Sequence, residues 1–228
     1  MTPPARTLDP EATRASILDA ARRLFFENGV AGTSMSRIAA EADVTKSLIH
    51  HHFGSKDELW DAVKDHAMDG YFAAQHALLE TSEPDVDLMD ASIETYFRYL
   101  QSNPDVARFL AWMHLEGDCA IIDRGLALKR FGVQRLSEGQ ADGRVRPDID
   151  PGSVLSCFLG LVESWFNARH MVIEKFELDP ATADETMLDT MRKIFRRGLE
   201  PHAGDVPLAP QAPAGAAEPA DPEALDAD

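Results

Sequence analysis

The run His50-His51-His52 is the densest group of metal-capable side chains in the sequence, and a metal site is the first chemistry it suggests. Consecutive helical residues point about 100° apart, so three in a row cannot converge on one ion, whereas helical metal pairs sit at i and i+4. His114 and Glu116 offer a base and an acid two residues apart, too little on their own for catalysis. The sequence has no HExxH, no Glu-x-x-His pair repeated in two helices and no Gly-rich phosphate loop. A helical-bundle enzyme would need such a convergent set, so no catalytic residue, metal ligand or cofactor is assigned. Cys119 and Cys157 lie far apart without CxxC spacing, which suits reduced core thiols better than a disulfide scaffold or a zinc site.

The chemistry that remains is binding, and the elements around the histidines say of what. From Thr33 to Lys56 the chain reads as two short helices joined by a tight turn. Met35, Ile38, Ala39 and Ala42 recur at i, i+3, i+4 and i+7, with Ser36, Arg37 and Glu41 opposite, and Thr33 or Ser34 caps the start. Asp43 and Val44 interrupt the pattern. Thr45 is a second N-cap, and a second helix runs through Leu48, Ile49, His52 and Phe53 to Gly54. This is a helix-turn-helix, whose second helix belongs in a DNA major groove.

The flanking elements complete a head. Asp9-Pro10-Glu11 starts a first helix with buried stripe Ile17, Ala21, Leu24 and Phe25, ended by Asn28-Gly29. Ser55-Lys56-Asp57-Glu58 is a capping box that launches a long helix along the stripe Leu59, Val63, Ala67, Tyr71, Ala74 and Leu78, with Gly70 in its middle.

The segment ILDAARRLFFENG, then GTSMSRIAAEADVTKSLIHHHF, then GSKDELW, closely resembles the DNA-binding head of the TetR family of bacterial repressors. The resemblance covers roughly the first quarter of the chain. It implies that Thr45, Lys46, Ser47, Leu48, His50 and His51 face DNA, with the Thr45 cap, Lys46 and Lys56 on phosphates and the others near base edges. Ser34 and Arg37 join that face from the preceding helix. Leu48 and His50 depart from the family pattern, where a small residue and a tyrosine are common.

The net charge of −17 sits away from this head. Residues 1–66 hold 8 Lys+Arg and 10 Asp+Glu, and residues 67–228 hold 14 and 29. Phosphate attraction must come from a local patch, Arg6, Arg14, Arg22, Arg23, Arg37, Lys46 and Lys56, together with helix N-termini. The acidic remainder discourages non-specific coating of DNA. No hydrophobic run approaches the roughly 20 residues of a membrane span, and the N-terminus has no apolar signal region, so a cytoplasmic protein without a membrane partner is expected.

The rest of the chain reads as helices. Asn103-Pro104, Asp150-Pro151 and Asp179-Pro180 each place a cap before a Pro, Pro84-Asp85 opens another, and no strand alternation intervenes. The expected helices are 86–102, 104–116, 119–140, 151–175 and 181–199. In the fourth, Val154, Phe158, Leu161 and Trp165 make one stripe and Leu155, Leu159, Val162 and Phe166 another. A surface that wide must be covered on two sides. With Met187, Leu188, Met191, Ile194 and Phe195 of the last helix it predicts a four-helix dimer interface, as the family resemblance also implies.

Tyr96, Phe97, Tyr99, Phe109, Trp112, Met113, His114 and Glu116 concentrate on two adjacent helices, with Phe131 and Trp165 able to approach. Such a lining suits a small-molecule site, and the candidates are Tyr96, Phe109, Trp112, Met113, His114, Glu116, Phe131 and Trp165. With His114 and Glu116 inside it, the effector would be amphipathic or aromatic and carry hydroxyl groups.

The expected organisation is all-α. A loose arm spans 1–8, a three-helix head 9–54 and a helical ligand-binding and dimerisation body 55–200. Residues 201–228 hold 6 Pro, 9 Ala, 6 acids and no Lys or Arg, the composition of a disordered acidic tail. The expected function is a homodimeric, ligand-responsive repressor of a palindromic double-stranded DNA operator. The competing reading is an architectural or cell-cycle DNA-binding protein without an effector, which would have a filled core in the body.

Overall fold

A computed structural model describes residues 9–116 and 123–208. The arm 1–8, Cys119 and the tail beyond residue 208 lie outside the described residues, as do the side chains of His114 and Glu116.

The described chain is helical throughout, as α1 Pro10–Asn28, α2 Met35–Glu41, α3 Lys46–Phe53, α4 Lys56–Thr81, α5 Val86–Ser102, α6 Pro104–Glu116, α7 Asp123–Ala141, α8 Pro151–Lys175 and α9 Ala183–Leu199. None of these helices is long and apolar enough to cross a membrane.

Most boundaries follow side-chain caps. Asp9 accepts from the Glu11 N–H, Ser34 from Arg37, Thr45 from Leu48 and Asp150 from Ser153. The capping box at Ser55 closes in both directions, Glu58 N–H to Ser55 Oγ at 3.1 Å and Ser55 N–H to Glu58 Oε2 at 2.6 Å. Two starts differ from the sequence expectation. Asn103 does not cap α6; its Nδ2 donates back to the Tyr99 carbonyl at 2.8 Å, closing α5 instead. Asp179 accepts from Ala181 N–H and the Thr182 hydroxyl in a turn, and α9 begins only at Ala183.

Two cores form. Ile17, Leu24, Ile38, Ile49 and Phe53 of α1 to α3 close on Leu59, Trp60 and Val63 from the start of α4, and Phe109 of α6 is buried with them. The second core unites α4 to α9 around Phe97, Ile93, Phe158, Val162 and Met191. The helix α4 belongs to both; at 1.5 Å per residue its 26 residues span about 39 Å. Its buried face runs Tyr71, Gln75, Leu79 rather than Tyr71, Ala74, Leu78: Ala74 is exposed and Leu78 only half-buried. The face continues at i+4, which puts a polar glutamine inside. Gly70 lies where α5 crosses, since a Cβ there would stand 3.3 Å from the Tyr99 ring.

The wide apolar surface of α8 divides unevenly. Phe158, Val162, Trp165 and Phe166 are buried, and Val154, Leu155 and Leu159 pack half-buried on the same core. Leu161 and Met171, 41% and 52% exposed, face outward with Ile194 of α9 at 59%. Residues 201–208 run without helix along the α7–α8 connection, where the Leu208 N–H donates to the Pro147 carbonyl.

Candidate DNA-binding face and effector cavity

The helix α3 is anchored by Ile49 and Phe53, both buried in the head core, which fixes the side it turns outward. Lys46, Ser47, His50 and His51 are exposed on that side, together with the cap Thr45; Leu48 is half-buried. The caps Ser34 and Thr45 are occupied by the backbone of their own helices at 3.2 Å each, leaving exposed hydroxyls at two helix N-termini. Arg37 is exposed and donates to the Asn28 amide oxygen at 3.3 Å. Lys56, half-buried, opens α4 beside them. Lys46 and Lys56 have no ion-pair partner among the described residues. Arg14 lies over the Phe53 ring at 5.0 Å, while Arg23 is paired with Glu41 at 3.0 Å.

His50 Nδ1 sits 2.5 Å from the Gly54 carbonyl oxygen, so Nδ1 carries the proton it donates. The His51 and His52 rings meet edge-on, 5.6 Å between centroids. Gly54 holds φ at 74°, and a Cβ there would lie 2.2 Å from Glu58 Oε2, so the turn from α3 into the capping box requires glycine. Hydrogen bonds from the Ser55 backbone and then its hydroxyl hold the Glu58 carboxyl below the usual range, keeping that acid occupied within the capping box.

The body encloses a cavity of about 350 Å³ between α4, α5, α6, α7 and α8. Such a volume lies within the roughly 300–1,000 Å³ of small-molecule sites. Its walls are apolar: Met68, Tyr71 and Phe72 from α4, Leu88 and Met89 from α5, Leu128 and Leu136 from α7, Leu155, Phe158 and Leu159 from α8. Gly125 and Gly132 of α7 also line it, where a larger side chain would take the space. The polar groups are Gln75, Ser92, Tyr71, Tyr96 and Glu163, with Lys129, Arg135 and Asp85. Tyr96 donates to Glu163 Oε1 at 2.8 Å. Burial first, and the Glu163 charge second, push the Tyr71 and Tyr96 phenols well above the ordinary value.

Of the sequence-expected ligand residues, the structure brings Tyr96 and Met113 to this cavity. Phe109 lies instead in the head core, stacked on Phe26 at 4.4 Å and edge-on to Trp60 at 5.2 Å. Trp112 meets Trp60 edge-on at 5.7 Å. Phe131 faces an outer groove beside His76, 5.6 Å away. Trp165 is buried with its indole N–H on Asp184 Oδ1 at 2.9 Å. The placement on α6 follows its rotation: Phe109 and Trp112 pack on the head core, while Leu110 and Met113, one position on, line the cavity and also touch the head core. The cavity residues Gln75, Ser92 and Glu163 were not singled out from sequence. A polar residue i+4 from Tyr71 and i−4 from Leu79, inside an otherwise apolar face, was the signal for Gln75.

The profile of "Bacterial regulatory proteins, tetR family" matches residues 17–63, and that of "Tetracyclin repressor-like, C-terminal domain" matches residues 90–197. The chain is 37% identical over 161 residues to the HTH-type transcriptional repressor SCO4008 of Streptomyces coelicolor, covering 69% of this chain and 79% of that protein. It is 33% identical over 195 residues to the HTH-type transcriptional repressor Rv3405c of Mycobacterium tuberculosis, covering 84% and 92%. The crystal structure of AibR in complex with isovaleryl coenzyme A and operator DNA superposes with a TM-score of 0.60 at 26% identity, covering 80% of this chain and 97% of that one. With a helix-turn-helix head, a helical body and these relatives, the chain belongs to the tetR family of bacterial regulatory proteins and is a DNA-binding transcriptional regulator.

Proposed function

We propose that this protein is a homodimeric repressor whose two heads read a near-palindromic operator and are released when a small molecule fills the body cavity. One observation carries the ligand half of the reading: α6 puts Phe109 into the head core and Leu110 and Met113 into the cavity wall. A molecule seated against Leu110 and Met113 acts on the helix that Phe109, Trp112 and the Arg22–Asp105 ion pair fasten to the head. Its leverage equals its differential affinity for the two head positions. An open cavity in place of a filled core favours this over an architectural DNA-binding role without an effector. AibR, a relative by fold and sequence, was crystallised with both an acyl-coenzyme A and operator DNA, which supports the same division of labour here.

The DNA half rests on the outward face of α3. Thr45, Lys46 and Lys56 take phosphates at helix N-termini, and Ser47, Leu48, His50 and His51 meet base edges. Ser34 and Arg37 flank them. Dimerisation uses the outward apolar residues Leu161, Met171 and Ile194 of α8 and α9, which a second copy covers in an isologous four-helix arrangement. No catalytic role is assigned.

Selection of DNA from a random pool by the full chain tests this. An inverted repeat with half-sites about one helical turn apart is the expected result. Enrichment of no sequence by folded, dimeric protein would overturn it.

A further inference from the structure

Gln75 is 5% exposed and lines the cavity, yet only half of its amide is satisfied. Its Nε2 donates to Ser92 Oγ at 2.8 Å, and its Oε1 meets no hydrogen-bond partner. A buried acceptor left in that state costs stability. An apolar residue would fill the position between Tyr71 and Leu79 at lower cost. The chain thus keeps a polar acceptor, pinned by Ser92, in a wall otherwise made of Phe72, Leu88, Met89 and Leu155. The group that completes it must be a hydrogen-bond donor.

From the unpaired Gln75 oxygen in an apolar cavity wall, we infer that the effector is a largely apolar molecule carrying a hydroxyl that donates to Gln75. The inference rests on the cavity being the effector site. It names Gln75, held by Ser92, as the residue that reads that hydroxyl.

Two probes of one chain length separate the hydrogen bond from apolar burial: 1-decanol and decyl methyl ether, each titrated into the full protein by calorimetry. Decanol should bind about fivefold to tenfold more tightly than the ether, the effect of one net hydrogen bond. In Gln75→Met combined with Ser92→Ala the decanol-to-ether ratio should fall to near one. Because each readout is a ratio within one protein, a loss of stability in a variant does not mimic the result. Ether and decanol binding equally well to the unaltered protein would overturn the inference while leaving the cavity as the effector site. Binding of neither, or binding that persists in the cavity-filling Gly132→Phe, would overturn the cavity reading and this inference with it.

Discussion

Lys46 and Thr45 stand side by side at the start of α3, and their substitutions should separate two contributions to DNA binding. Lys46 is exposed and has no ion-pair partner among the described residues, so its place is electrostatic. Lys46→Ala should weaken binding about equally across sequences and lower the slope of log affinity against log salt by roughly one per head. Thr45→Ala removes the cap on Leu48 N–H, costing about 1 kcal/mol of helix stability, and should leave that slope nearly unchanged. In the body, Asp90 of α5 is buried against α9. Burial pushes its carboxyl up, but hydrogen bonds from Arg192 at 2.9 Å and Arg196 at 3.1 Å outweigh that and leave it below the ordinary 3.8. A depressed acid contributes stability that is full above its unfolded value and lost as pH falls through the folded one. The urea midpoint of Asp90→Asn should therefore lie below that of the unaltered protein at pH 7, with the gap narrowing below about pH 4. A constant gap would show that the Arg pairs are not what Asp90 contributes.

At this same scale the sequence was legible where local rules decide. Asp9, Ser34, Thr45, Ser55 and Asp150 announce their helices because a cap is a contact within three residues. The ligand lining was not legible in the same way. Phe109, Trp112 and Trp165 look alike in sequence to Tyr96 and Met113, but which of two cores an aromatic joins depends on the rotation of its helix between them. That is a tertiary fact. Gln75 is readable in principle, at i+4 from Tyr71, but the apolar Ala74 and Leu78 offer a competing stripe that hides it.

Among the elements, α4 and α6 join cavity and head, each contributing to both cores, while α7 walls the cavity. The helix α7 packs against the α4–α5 turn so closely that a Cβ at Gly139 would lie 2.3 Å from the Pro84 carbonyl oxygen and 2.9 Å from Val145 Cγ2. Backbone cannot yield there as a flexible side chain would. Gly139→Ala should destabilise the protein by about 1–3 kcal/mol, read as a lowered thermal midpoint, and should enlarge or deform the cavity end lined by Pro84 and Asp85. The helices themselves were foreseeable from their Pro and acid start signals. The hand-over of Asn103 from capping α6 to closing α5 was not, because the same side chain can serve either neighbour and only the crossing of α5 and α6 chooses.

On the scale of the whole molecule, the acidic body and the locally basic head divide two tasks. In the proposed complex, repulsion by the body would limit non-specific coverage, while the head's lysines and helix N-termini would act within the screening length of the phosphates. Leu161, Met171 and Ile194 are the outward apolar residues on α8 and α9 that the dimer reading uses. Leu161→Glu combined with Ile194→Glu should leave the helical content intact and yield monomers in sedimentation, with operator affinity reduced by the loss of the second head. The dimer reading starts from the excess apolar width of α8, although Phe158 and Trp165 went to the chain's own core and the outward face narrowed to fewer residues.

The most direct measurement compares binding of the full protein to a selected inverted repeat and to one isolated half-site, each over a range of salt. A dimer that seats both heads should bind the repeat at least a hundredfold more tightly, with about twice the salt slope, and should lose that advantage when half a helical turn is inserted between half-sites. Equal affinity for repeat, half-site and lengthened repeat would contradict a two-headed reader of DNA.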